Sequence, residues 1–152
     1  NIIPNVYGDR MRLTVEIVCG VQLPRSLKVK KGETEIPDPY VEIWISGVPG
    51  DDTSDRPHKT MSVENNTFNP KWGESFSFVI QSVEMALLTV RVMDRDINAI
   101  IAEGVCPVAG LRMGYRAIPL VAENGTPIPP PSCLCVRLEM EPIAVMIDQD
   151  DL

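Results

Sequence analysis

Apolar and polar residues alternate along five stretches of the chain, and a period of two predicts strands with one face in a core and the other in water. In Arg12-Leu13-Thr14-Val15-Glu16-Ile17-Val18 the apolar face is Leu13, Val15 and Ile17. The same period runs through Tyr40 to Ile45, Ser75 to Ile80, Leu88 to Met93 and Leu134 to Met140. Weaker strand signals occupy 57–63, 102–108 and 115–121. Between them lie breakers with physical reasons of their own. Pro37 and Pro39 withhold amide donors and belong at strand starts and in loops. Asn124-Gly125 is a turn signal, and Pro127 with Pro129-Pro130-Pro131 makes an extended, non-helical connection. No stretch keeps a 3.6-residue period over three turns; at most 83–88 or 109–114 forms a helical turn. The pattern predicts an all-β fold, an eight-stranded antiparallel β-sandwich.

Length and charge narrow the picture. A chain of 152 residues fits one domain with a sizeable core. The expected organisation is a linker over 1–10, the sandwich over 11–141 and an acidic tail over 142–152 that carries Asp148, Asp150 and Asp151. Apolar runs such as Met85-Ala86-Leu87-Leu88 are far too short to cross a bilayer. The start, with Pro4, Asn5 and Asp9, does not read as a signal peptide. A net charge of −7 disfavours non-specific binding to nucleic acid or to anionic membranes, an average that local basic patches can override. Cys19, Cys106, Cys133 and Cys135 form no CxxC pair, so they read as reduced, partly buried thiols of a cytoplasmic protein. Cys133 and Cys135 share one face of a strand.

The chemistry-bearing feature is Val92-Met93-Asp94-Arg95-Asp96, where a strand runs into two carboxylates spaced i, i+2. Such a pair can converge on one hard cation, because calcium takes several oxygens at flexible angles. A lone DxD is weak evidence, since acidic loop residues are common. Asp38, between Pro37 and Pro39, opens another strand, and the pattern alone does not bring it beside Asp94.

Several ordered motifs carry a resemblance: Leu13 to Leu23, Asp38-Pro39-Tyr40-Val41-Glu42-Ile43, and Asn69-Pro70-Lys71-Trp72 with Glu74 and Phe76. Together they resemble the C2 family. Thr67-Phe68-Asn69-Pro70, Glu84 to Leu88, Gly114 to Leu120 and the Asn124-Gly125 close resemble its phosphoinositide phospholipase C branch. The resemblance implies the permuted, type II topology and calcium-binding loops gathered at one end. It also implies calcium ligation by Asp38, Asp94 and Asp96. Two positions depart from the pattern. Ala99 stands where the family places a further aspartate, and the long first loop offers Glu33 or Glu35 without a matching frame. Losing one carboxylate weakens such a site about tenfold or more, roughly 1.4 kcal/mol, so calcium is expected to bind weakly.

What the resemblance implies for function is a non-catalytic module, a monomer, that docks a parent phospholipase C on anionic phospholipid membranes from the cytoplasm. Lipid contacts are expected from Arg25, Lys28, Lys30 and Lys31 in the first loop and from Ile97 and Ile100 in the third. Each basic side chain near an anionic surface contributes about 1 kcal/mol. Ile101 reads as packed into the sandwich. The alternative is a calcium-independent scaffold that packs on the parent's catalytic barrel or a protein partner. Catalysis by this chain is not expected: His58, flanked by Pro57 and Lys59, is its one histidine, and no second histidine serves as its acid or base partner.

Overall fold

The computed structural model describes residues 10–24 and 36–143, with the backbone of 29–30 and 33–34. Its strands are β1 (Met11–Val21), β2 (Val29–Lys30), β3 (Glu33–Thr34), β4 (Pro39–Ser46), β5 (His58–Lys59), β6 (Lys71–Ile80), β7 (Leu87–Asp94), β8 (Ala99–Pro107), β9 (Gly114–Val121) and β10 (Pro127–Pro142). Eight of them run in the order β5-β4-β7-β8-β9-β10-β1-β6, all antiparallel. The order divides into two four-stranded layers, β5-β4-β7-β8 and β9-β10-β1-β6, joined through the Glu103–Val121 rung. The small β2-β3 hairpin stands apart, within the first loop.

The alternation read from the sequence is the burial pattern. Leu13, Val15 and Ile17 of β1 are fully buried, paired with Met140, Leu138 and Val136 of β10. Their partners across the core include Val41, Ile43 and Ile45 of β4 and Leu88, Val90 and Val92 of β7. Each such side chain contributes about 1.5–3 kcal/mol by leaving water. The outward residues of β1 are solvated, and Glu16 forms an ion pair with Arg137 at 3.3 Å. Gly104 of β8 marks a close approach between the layers. A Cβ there would lie 2.8 Å from Ile118 Cγ2 and 2.9 Å from the Pro119 carbonyl oxygen.

The structure also corrects boundaries. β6 begins at Lys71 rather than Ser75, and its Gly73 has φ +65. Of 57–63 only His58–Lys59 joins a ladder, although Thr60 still donates its amide to the Val41 carbonyl at 2.9 Å. The proline-rich connection is extended, as expected, and forms the first part of β10. Its ladder to β9 breaks between Pro127 and Ser132, because the prolines there have no amide hydrogen to donate. Helical turns occur at Val83–Met85 and Val108–Gly110. The expected linker and acidic tail lie outside the described residues at 1–9 and 144–152.

Candidate functional site

Antiparallel pairing of β4 with β7 sets Pro39 opposite Asp94. Asp38, one residue earlier, is thereby carried to the point where β7 turns toward β8. The Asp38 amide donates to Asp94 Oδ1 at 3.3 Å, and the Arg95 amide to the Asp38 carbonyl at 3.1 Å. The β7–β8 turn is four residues long, Arg95 to Asn98, closed by the Asp94–Ala99 rung. Asn98 takes φ +54, a left-handed conformation that asparagine tolerates better than most residues. Asp96 then turns back, and its amide donates to Asp94 Oδ1 at 3.1 Å. Asn65, at φ +50, donates its amide to Asp38 Oδ1 at 2.8 Å.

The fold thus gathers Asp38, Asp94 and Asp96 at one end. Asp38 and Asp94 are buried, whereas Asp96 is exposed. Desolvation, a hydrogen bond with Asp38 and the charges of Asp38 and Asp94 raise the Asp96 carboxyl above its ordinary range, and Arg95 pulls it back. Carboxylates that repel one another in this way form a natural anchor for a cation. The donors are of the right kind for calcium, but they do not form a complete cage. Asp38 Oδ1 and Asp94 Oδ1 already accept loop amides, and Ala99, at the position where the resemblance calls for an acid, brings a methyl group. Among the described residues, no three His, Cys, Asp or Glu side chains are arranged to hold a metal ion.

Around the acids, Ile97 is exposed, Ile100 is half-buried and Ile101 lies in the core. Ile100 and Ile101, with Pro24, Pro127, Ile128 and Pro129, line an apolar hollow of about 460 Å³. A second hollow of about 430 Å³ adjoins it at Pro24, Ile128 and Pro129 and reaches the exposed Phe68. Arg25, Lys28 and Lys31 lie outside the described residues, as does the side chain of Lys30; the Lys30 backbone pairs with Glu33 in the small hairpin. Glu103 is not part of this site. It pairs with Arg91 at 2.9 Å on the outer face of the first layer, where the Arg91 guanidinium also lies 5.0 Å from the centre of the Trp44 ring.

Two contributors escaped the sequence reading. Tyr40 donates its hydroxyl hydrogen to Asn98 Oδ1 at 3.2 Å, tying β4 to the turn. Burial, followed by the charge of Glu42, raises its hydroxyl pKa, and Lys59 acts against both. Asn65 fixes Asp38 across a gap of 27 residues; its Asn-Asn pair signals a turn but not the partner. His58 is exposed and stacks on Phe76, with ring centres 5.2 Å apart.

An antiparallel sandwich of eight strands with acids collected between its end loops is the plan of the C2 domain, and the sequence profile of that family matches residues 11–118. The chain belongs to the C2 domain family. Sequences similar to it include phosphoinositide phospholipases C. The 1-phosphatidylinositol 4,5-bisphosphate phosphodiesterase zeta-1 of Mus musculus is 36% identical over 131 residues, covering 83% of this chain and 19% of that protein. The delta-4 enzyme of Xenopus laevis is 37% identical over 125 residues, covering 80% and 16%. The delta-1 enzyme of Homo sapiens is 34% identical over 138 residues, covering 89% and 17%. The chain therefore spans under a fifth of the length of these three relatives. The crystal structure of S. officinalis PLC21 superposes with a TM-score of 0.76 at 19% identity, covering 95% of this chain and 17% of that one. Human GIVD cytosolic phospholipase A2 superposes at 0.67 and 22%, covering 90% and 18%. Both show a shared fold. Among the described residues, no helix is long and apolar enough to cross a membrane.

Proposed function

We propose that this chain is the non-catalytic C2 module of a phosphoinositide phospholipase C and docks its parent peripherally on anionic phospholipid membranes from the cytoplasmic side. The observation that carries the reading is the composition of one end of the sandwich. There, three carboxylates, an exposed Ile97 and an apolar hollow lie together. Calcium is a weak, auxiliary ligand of Asp38, Asp94 and Asp96, and its charge would offset their mutual repulsion. The lipid contacts come from Arg25, Lys28, Lys30 and Lys31, with Ile97 and Ile100 entering the interfacial layer.

Co-sedimentation with phosphatidylserine-containing vesicles in chelator tests this. Binding is expected, and replacing Lys28, Lys30 and Lys31 by Ala should weaken it, as should Ile97→Asp. An absence of binding, or binding indifferent to the lysines, overturns the reading. A calorimetric calcium titration tests the auxiliary role, because saturation near about 1 μM would put the site in the range of full-strength sensors.

The second reading, a calcium-independent scaffold packed on the parent's catalytic barrel or on a protein partner, draws on one specific observation. Asp38 and Asp94 already satisfy loop amides and hold the turn together without an ion. It predicts that vesicle binding is absent while association with the parent's remaining domains persists in chelator.

A further inference from the structure

Three of the four cysteines meet on the outer face of the β9-β10-β1-β6 layer, and a β-bulge brings them together. Along β1, Ile17 pairs with Val136 of β10, but the next rung is Cys19 with Cys135, which leaves Val18 as an extra residue. One extra residue reverses the in-out alternation. Without it Cys19 would follow Ile17 by two and point into the core; with it Cys19 faces outward, level with Cys135. Cys133 lies two residues before Cys135 on the same face, between the buried Ser132 and Leu134. All three thiols are half-buried and none is in a disulfide. Cys135 lies near enough to Cys19 and Cys133 for its thiol to raise both of theirs. On the other side of Cys19 its rung partner in β6 is Lys71.

We propose that Cys19, Cys133 and Cys135 form a thiol–disulfide exchange site, in which Cys19 and Cys135 close a reversible cross-strand disulfide and Cys133 serves as the neighbouring exchange thiol. Rung partners in an antiparallel ladder have Cα atoms about 4.5–5.5 Å apart, inside the roughly 4.4–6.8 Å span that a disulfide bridges. Cys133 and Cys135, two apart on an extended strand, are separated by about 6.6 Å with parallel side chains, which disfavours a direct bridge between them. The co-reactant is a small-molecule disulfide such as oxidised glutathione. The Cys19 thiolate attacks one of its sulfurs, forming a mixed disulfide and expelling one glutathione thiolate. The Cys135 thiolate then attacks the Cys19 sulfur, forming the protein S–S bond and expelling the second. The protons lost by the two cysteines end on the two glutathione thiolates; the protein gives up two electrons and the small disulfide gains them. Burial, then the neighbouring thiols, raises Cys19 above the ordinary thiol range while Lys71 pulls it down, and the same causes raise Cys133. The site is therefore a slow exchanger, suited to a lasting change in redox conditions rather than to fast peroxide sensing.

The bridge would staple the start of the first loop to β10, because Cys19 lies just before Val21 and Gln22, whose carbonyl accepts the Ser132 hydroxyl. The test is to incubate the reduced 152-residue chain with oxidised glutathione, alkylate the remaining thiols and map tryptic peptides without reduction. The expected product is a linkage between peptides 13–25 and 117–137, with two thiols lost and Cys106 still alkylated. The linkage should survive in C133S and form about tenfold or more slowly in C135S. Oxidation should also raise the unfolding midpoint of the wild-type chain by about 5–15 °C, a readout that does not depend on any variant folding. The proposal is overturned by mixed glutathione disulfides alone, by a bridge confined to 117–137, by equal rates in C135S and wild type, or by an unchanged midpoint after complete oxidation.

Discussion

The two ends of β4 each carry a buried aspartate, and the two are handled in opposite ways. Asp51, in the loop after β4, divides its oxygens between two amides: Oδ1 accepts from Gln81 at 2.9 Å and Oδ2 from Ser82 at 2.8 Å. Beside it, hydrogen bonds from the Ser54 side chain and backbone, then from the Gly47 amide, hold the Asp52 carboxyl below its ordinary range. Asp38, before β4, meets two further carboxylates, and there Asp96 is pushed the other way. At the far end donors outnumber negative charges, so the acids are cement. At the loop end three amides serve three carboxylates and none of them reaches that of Asp96, so the acids hold the turn and still retain unspent attraction for a cation. Burial alone does not distinguish a structural carboxylate from a functional one; the ratio of donors to charges does.

The contrast predicts a ranking of stability effects, measurable by urea unfolding in chelator. Asp51→Ala should cost the most, about 3 kcal/mol, because two buried amides lose a charged acceptor. Asp94→Ala should cost less, about 1–2 kcal/mol, since the Asp38 and Asp96 amides also lose an acceptor but one of three repelling charges goes with it. Equal losses at the two sites would mean that the loop-end acids are cement as well. Asp96→Asn should have the smallest effect and the opposite sign, a slight gain at neutral pH. The sign follows from linkage. With its carboxyl raised in the folded state, Asp96 contributes stability below the unfolded carboxyl range and loses it as pH rises through the folded value. The Asn variant should therefore show a flatter decline as pH rises from the unfolded carboxyl value through the raised folded one, and any calcium-induced rise in midpoint should vanish. A lowered midpoint would show that Asp96 is hydrogen-bonding structure rather than stored repulsion.

Much of the sandwich was legible because its layers write themselves as a period of two. Every one of the five alternating stretches is a strand, and the three weaker signals supply the others in the eight-strand order. The misread boundaries have local causes. Lys71 to Glu74 hides its strand behind a bulge at Gly73, and the prolines of β10 interrupt its ladder between Pro127 and Ser132, which oppose the neighbouring Val121 and Leu120 of β9. The site was legible only in part. Asp94 and Asp96 announce themselves by spacing, and the C2 resemblance supplied Asp38. The rung between Pro39 and Asp94, the amide of Asn65 and the reach of Tyr40 to Asn98 are long-range pairings, and nothing local in those segments encodes them. The bulge at Val18 was equally silent, although it decides which way Cys19 points.

One backbone hydrogen bond sets the stance of the whole module. The Ile143 amide donates to the Arg10 carbonyl at 2.8 Å, directly beyond the Met11–Pro142 rung. Chain therefore enters and leaves through a single doorway, beside Asp51 and the helical turns and opposite Asp38. An eleven-residue β1 separates that doorway from the acidic loops by roughly 35 Å. Whatever the loops touch, Arg10 and Ile143 stay side by side at the far end of the sandwich, a strand's length from the acids.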